Sequence, residues 1–81
     1  SLDLSNNPNL YEVHCRDNPQ LMQLNIANGN TAGITGIVNA VGTTPANLTI
    51  KVDVAFLTST PYNTGNLPPN WAVHPGTIFI T

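Results

Sequence analysis

His14 and Cys15 stand side by side, an imidazole next to the only thiol in the chain. A cysteine nucleophile needs a base within hydrogen-bond reach. Adjacent residues of an extended strand point to opposite faces, so this pair is not expected to meet. His74 is the other histidine, and nothing in the spacing brings it to Cys15. Glu12, His14 and Asp17 lie close together and carry metal-ligating atoms. They lack the C-x-x-C or H-x-x-x-H spacing that marks a metal centre, and a solvated strand edge explains them more simply. Asp53 and Lys51, two apart, read as a surface ion pair, and Asp3 and Asp17 as turn residues. No phosphate-binding or dinucleotide-binding glycine pattern is present. These residues predict no enzyme, no cofactor and no metal.

Composition narrows the field further. Only 7% of the 81 residues are charged, while 41% are hydrophobic, a balance that argues against disorder. Solubility has to come from Asn, Thr, Ser and Gln, as in β-rich extracellular proteins. Arg16 and Lys51 are the only strong bases and lie far apart, so no phosphate-binding patch forms and nucleic acid is excluded as a partner. No apolar run approaches the roughly twenty residues of a membrane-spanning helix. One cysteine allows no internal disulfide and leaves the redox compartment open.

The positioning elements come from a repeat. Leu2-Asp3-Leu4-Ser5-Asn6-Asn7-Pro8-Asn9-Leu10 is echoed by Val13-His14-Cys15-Arg16-Asp17-Asn18-Pro19-Gln20-Leu21, then by Leu24-Asn25-Ile26-Ala27-Asn28. Leu2, Val13 and Leu24 fall eleven apart, as do Leu4, Cys15 and Ile26, and two half-units give a period near twenty-two. Side-chain alternation turns Val13 and Cys15 inward and His14 outward, with Leu24 and Ile26 inward around Asn25. Asn7 and Asn18 follow the strands, where an amide can satisfy backbone groups in a tight bend. Pro8 and Pro19 stop the strand, and Leu10 and Leu21 return to the core.

These residues resemble the leucine-rich repeats of bacterial surface proteins, the internalin-like variety in which Cys alternates with Leu as a ladder. The resemblance covers residues 2–28 and is lost at Gly29, where a third Asn is due and no Pro-x-Leu follows. It implies a mainly β fold, a right-handed solenoid fragment of leucine-rich-repeat type with a β-rich C-terminal cap. It also implies that Cys15 lies on one β-face, with Leu2–Leu4 and Leu24–Ile26 on the opposite one.

Residues 1–30 are thus expected to be repeat coils and 31–81 a cap. Residues 31–46 read as an irregular connection with room for one helical turn, since Ile34, Ile37, Val38 and Val41 keep helical spacing among glycines. From Leu48 to Leu57 apolar residues alternate strictly, predicting one long half-buried strand. A Pro/Asn-rich loop follows from Thr58 to Asn70, then Trp71 as an apolar anchor, a Pro75-Gly76 turn and a last short strand at 77–80.

The expected function is non-enzymatic recognition of a protein or glycan at the surface of a bacterium or in its secretions. The alternative is a structural cap or accessory subunit docked on a larger assembly. Tyr11, His14 and Arg16 are the candidate binding residues; an aromatic, an imidazole and a guanidinium together suit an interface hot spot. Leu4, Asn7, Cys15, Asn18, Leu24, Ile26 and Trp71 are the candidate structural positions. The apolar edge formed by Leu2, Leu4 and Leu10 is expected to be covered by upstream repeats, a partner subunit or a second copy.

Overall fold

A three-residue strand sends only one or two side chains into a core, so a protein built from such strands must stack many of them. The computed structural model describes residues 2–15, 18–38, 48–58, 70–73 and 77–81. Seven short strands run through them: β1 (Leu2–Asp3), β2 (Glu12–His14), β3 (Gln23–Asn25), β4 (Gly36–Val38), β5 (Thr49–Lys51), β6 (Trp71–Ala72) and β7 (Ile78–Ile80). A 3₁₀ turn at Thr31–Gly33 and one short helix, α1 (Val54–Thr58), complete the elements. The protein is mainly β.

Odd and even strands part company. β1, β3, β5 and β7 form one sheet in that order, and β2, β4 and β6 form a second. Every pairing is parallel. The chain therefore changes sheet at each strand and returns one position further along. Glu12–His14, just before Cys15, belongs to one sheet; Leu2–Asp3 and Gln23–Asn25, just before Leu4 and Ile26, belong to the other.

Register builds the core in rows. Leu2, Leu24, Ile50 and Phe79 are aligned across the four-stranded sheet. Val13, Ile37 and Trp71 are aligned across the three-stranded one. Leu24, Ile26, Ile34, Ile37, Leu48 and Ile50 have no exposed surface at all. Leu2, on a strand with one neighbour among the described residues, keeps 39% of its surface exposed. Outward positions are polar: Asp3, Asn25 and Lys51 share a row that ends at Ile80.

Two expectations are corrected by the structure. The strand predicted from Leu48 to Leu57 ends at Lys51, and Val54–Thr58 is helical. The Asp53 carbonyl accepts the Phe56 amide at 3.0 Å and the Leu57 amide at 3.4 Å, closing a turn there. Positions 52 and 56 are inward in either conformation, because four residues span two strand periods and about one helical turn. Val54 separates the two, and it is 63% exposed. The second correction concerns residues 31–38. A 3₁₀ turn does lie at Thr31–Gly33, with buried Ile34 at its end, but Gly36–Val38 is a strand that buries Ile37, where an irregular connection was expected. The parallel pairing continues past the Asn-Pro motif, since β4 pairs with β2 and β5 with β3. The expectations for 39–47, for the loop over 59–69 and for the Pro75-Gly76 turn lie outside the described residues.

Trp71 closes the apolar interior. It is 5% exposed, and its indole Nε1 donates to the Ile34 carbonyl at 2.8 Å. Its ring stacks on Phe56 at 5.0 Å and faces Phe79 at 6.2 Å. Emission from this single tryptophan should be blue-shifted in the folded chain, and Trp71→Ala should cost about 3–5 kcal/mol. A fully solvated emission maximum in native buffer would contradict the packing.

Candidate functional site

The tempting pair at 14 and 15 is split by strand geometry. Cys15 is 1% exposed in the core, whereas the His14 side chain is 60% exposed. Burial pushes the Cys15 thiol above its ordinary value. A nucleophile needs the opposite shift, because the thiolate is the reactive form. Both residues border a cleft of about 390 Å³ with Leu2, Asn18, Gln20 and Leu21, Cys15 with almost none of its surface exposed.

His14 finds its partner on its own strand. Its Nε2 meets Glu12 Oε1, two residues back on the same outward face. Both groups are well exposed, and such pairs contribute little to stability. Tyr11 precedes them and is 69% exposed, with its carbonyl accepting the Thr35 amide and hydroxyl at 2.7 and 3.0 Å. Tyr11 and His14 are thus both solvent-facing at one edge of the three-stranded sheet. Arg16, Asp17 and His74 lie outside the described residues. No group of three His, Cys, Asp or Glu suited to a metal occurs among the described residues.

The asparagines after the strands hold their own turns. Asn7 Nδ2 donates to the Leu4 carbonyl at 3.1 Å, and Asn18 Nδ2 to the Cys15 carbonyl at 2.9 Å. Each closes the same three-residue step. After the next strand Gly29 replaces the asparagine, with φ +84°, a conformation that glycine adopts freely. There the carbonyl of Ile26 is reached by the Thr31 hydroxyl at 3.1 Å instead.

Asp53 forms the densest polar cluster. Its Oδ1 accepts the Gly29 amide at 3.1 Å, and its Oδ2 accepts the Thr31 amide at 2.9 Å and the Thr31 hydroxyl at 2.6 Å. The Asp53 amide donates back to Thr31 Oγ1 at 3.0 Å. Asp53 therefore does not pair with Lys51, as the sequence suggested. The strand ends before it, so the two side chains no longer share a face. Lys51 lies in the row of Asp3, whose carboxyl is held below its usual range by hydrogen bonds from Ser5, with a smaller push from Lys51. Burial pushes the Asp53 carboxyl up, but hydrogen bonds from Thr31 and Gly29 outweigh it, and the net shift is downward.

Sequence reasoning missed this cluster, although a signal was there. Asp53 and Thr31 are 22 residues apart, the period already visible in the first coils.

Comparison with protein-family models, curated proteins and solved structures finds no match. No described helix is long and apolar enough to cross a membrane.

Two tests follow from this geometry. Thiol reagents should label Cys15 slowly in native buffer and fast in denaturant, because reaction requires local opening. Rapid native labelling would contradict its burial. For Asp53, a carboxyl depressed in the fold stabilises fully above its ordinary value of 3.8, and that contribution is lost as pH falls through the lowered folded value. Asp53→Asn should cost about 2 kcal/mol at neutral pH and flatten the acid limb of stability against pH. An acid limb unchanged in this variant would refute the assignment.

Proposed function

We propose that this chain is a non-enzymatic recognition module of solenoid type, part of a leucine-rich-repeat protein secreted by or displayed on a bacterium. Its outward rows would bind a protein or a glycan. The observation that carries this reading is the parallel register, which sets one apolar residue inward and one polar residue outward on successive strands. Stacking of this kind supports a solenoid, in which each coil buries its core only against its neighbours. Leu2, Leu24, Ile50 and Phe79 are separated by 22, 26 and 29 residues, lengths that suit leucine-rich repeats. Strands on both sides of each coil depart from the usual strand-plus-helix repeat, so the solenoid is better supported than the family.

The four-stranded face is the better binding surface. It offers Asp3, Gln23, Asn25, Thr49 and Lys51 from three successive strands, few of them charged. Amides and hydroxyls in rows suit the hydroxyl-rich surface of a glycan or the backbone of a protein, since each both donates and accepts. Tyr11 and His14, on a single coil of the other sheet, supply less area than the roughly 800 Å² a specific interface buries.

The second reading, a cap or docked accessory subunit, is favoured by Ile78 and Ile80. They are 54% and 38% exposed on β7, a strand paired on one side among the described residues. An apolar strand edge of that kind invites a covering chain.

An array of glycans and extracellular proteins distinguishes these readings. Binding should be lost in Asn25→Ala/Lys51→Ala, with melting temperature little changed, and kept in Tyr11→Ala/His14→Ala. Binding indifferent to both pairs, or no binding to the array, would sink the recognition reading. A stable complex disrupted by Ile78→Ser/Ile80→Ser would establish the docked subunit instead.

A further inference from the structure

Asn28-Gly29 is the one Asn-Gly step in the chain. In a flexible chain this dipeptide is the most reactive deamidation site, because glycine leaves the backbone nitrogen unhindered. The Gly29 nitrogen loses its proton and attacks Asn28 Cγ, a C–N bond forms and ammonia leaves. Water then opens the cyclic imide to aspartate or isoaspartate. Both reacting groups are held elsewhere in the fold. Asn28 is 7% exposed. Its Nδ2 donates to the Asn7 carbonyl of the preceding coil at 2.8 Å, and its Oδ1 accepts the Asn30 amide at 2.8 Å. The Gly29 amide is engaged by Asp53 Oδ1 of the following coil at 3.1 Å.

We infer that Asn28-Gly29 is a modification site gated by the fold: inert while coils one, two and three are stacked, and converted irreversibly once they part. The reaction has a consequence for the fold. Converting the amide to a carboxylate replaces the donor facing the Asn7 carbonyl with an acceptor, and buries a negative charge there. Isoaspartate adds a methylene to the backbone at the turn that Gly29 makes at positive φ. A coil that has opened long enough to react therefore does not re-form its contacts, and the chain carries a record of its unfolding.

The test is peptide mapping of the full chain after incubation at mildly alkaline pH, in native buffer and in urea. Conversion at position 28 should lead all other asparagines in urea and be slower by about tenfold or more in native buffer, the factor set by how seldom the coil opens. Asp53→Ala, which removes the acceptor of the Gly29 amide, should raise the native rate toward the urea rate. Asn28→Asp should lower the melting temperature without any incubation. Hydrogen exchange at Gly29 in the unmodified chain gives a reading independent of any variant, and protection is expected. Equal rates in buffer and urea would overturn the proposal, as would position 28 reacting no faster than other asparagines in urea. A fully exchanging Gly29 amide would overturn it as well.

Discussion

The contact between Asp53 and Thr31 is the constraint on which the C-terminal half depends. By accepting from the Gly29 and Thr31 amides, the Asp53 carboxylate holds the turn of one coil from the next. The same residue stands two positions past β5, and its carbonyl accepts the Phe56 and Leu57 amides of α1. Starting the helix there puts Phe56 inward, beneath the Trp71 ring. Trp71 in turn donates to Ile34, three residues past Thr31. The path thus runs from a turn through a carboxylate, a helix and two rings back to the residue that ends the turn. Remove the carboxylate and the buried Thr31 and the exposed Gly29 both lose the partner of their amides, the buried one at the greater cost.

Such staples are needed because the strands are so short. Strand ladders of two or three residues satisfy few backbone groups, and each change of sheet leaves corner carbonyls and amides to be paired. The chain solves this with uncharged side chains reaching about one period along: Asn28 to Asn7, Thr35 to Tyr11, Thr31 to Asp53. This accounts for the composition. A protein whose polar groups are spent on its own corners needs amides and hydroxyls more than ions, and only 7% of this chain is charged.

The first coils were legible because their half-periods are equal. The inward residues Leu2, Val13 and Leu24 fall 11 and 11 apart, but Ile37, Ile50, Trp71 and Phe79 follow at 13, 13, 21 and 8. Changing spacing hides a repeat from any fixed-period reading, although the strands stay in register. Alternation over residues 48–57 misled for a different reason. Val52 and Phe56 are inward whether the backbone is extended or helical, and only Val54 carries the distinction. The inward faces of Cys15, Leu24 and Ile26 needed only side-chain alternation and could be read directly. The Asp53 cluster could not, since a carboxylate two residues after a lysine looks the same whether it pairs locally or reaches back one coil. On the outward side, strand parity put His14 in solvent with Glu12, while its proposed companion Arg16 lies outside the described residues.

Unequal coils are cheap to keep. Lengthening a connection costs only about 0.6 kcal/mol per doubling, so growth from 11 to 21 residues between inward positions is easily offset by one buried ring. The inward rows tolerate far less, because each residue there packs against the coil before and after it. Change is therefore best tolerated in the length of the connections and in the outward rows, which can alter without loss of the core. A scaffold with those freedoms can alter what it presents without altering how it folds. That division suits a surface that meets other molecules better than one that must hold reacting groups to a fraction of an ångström.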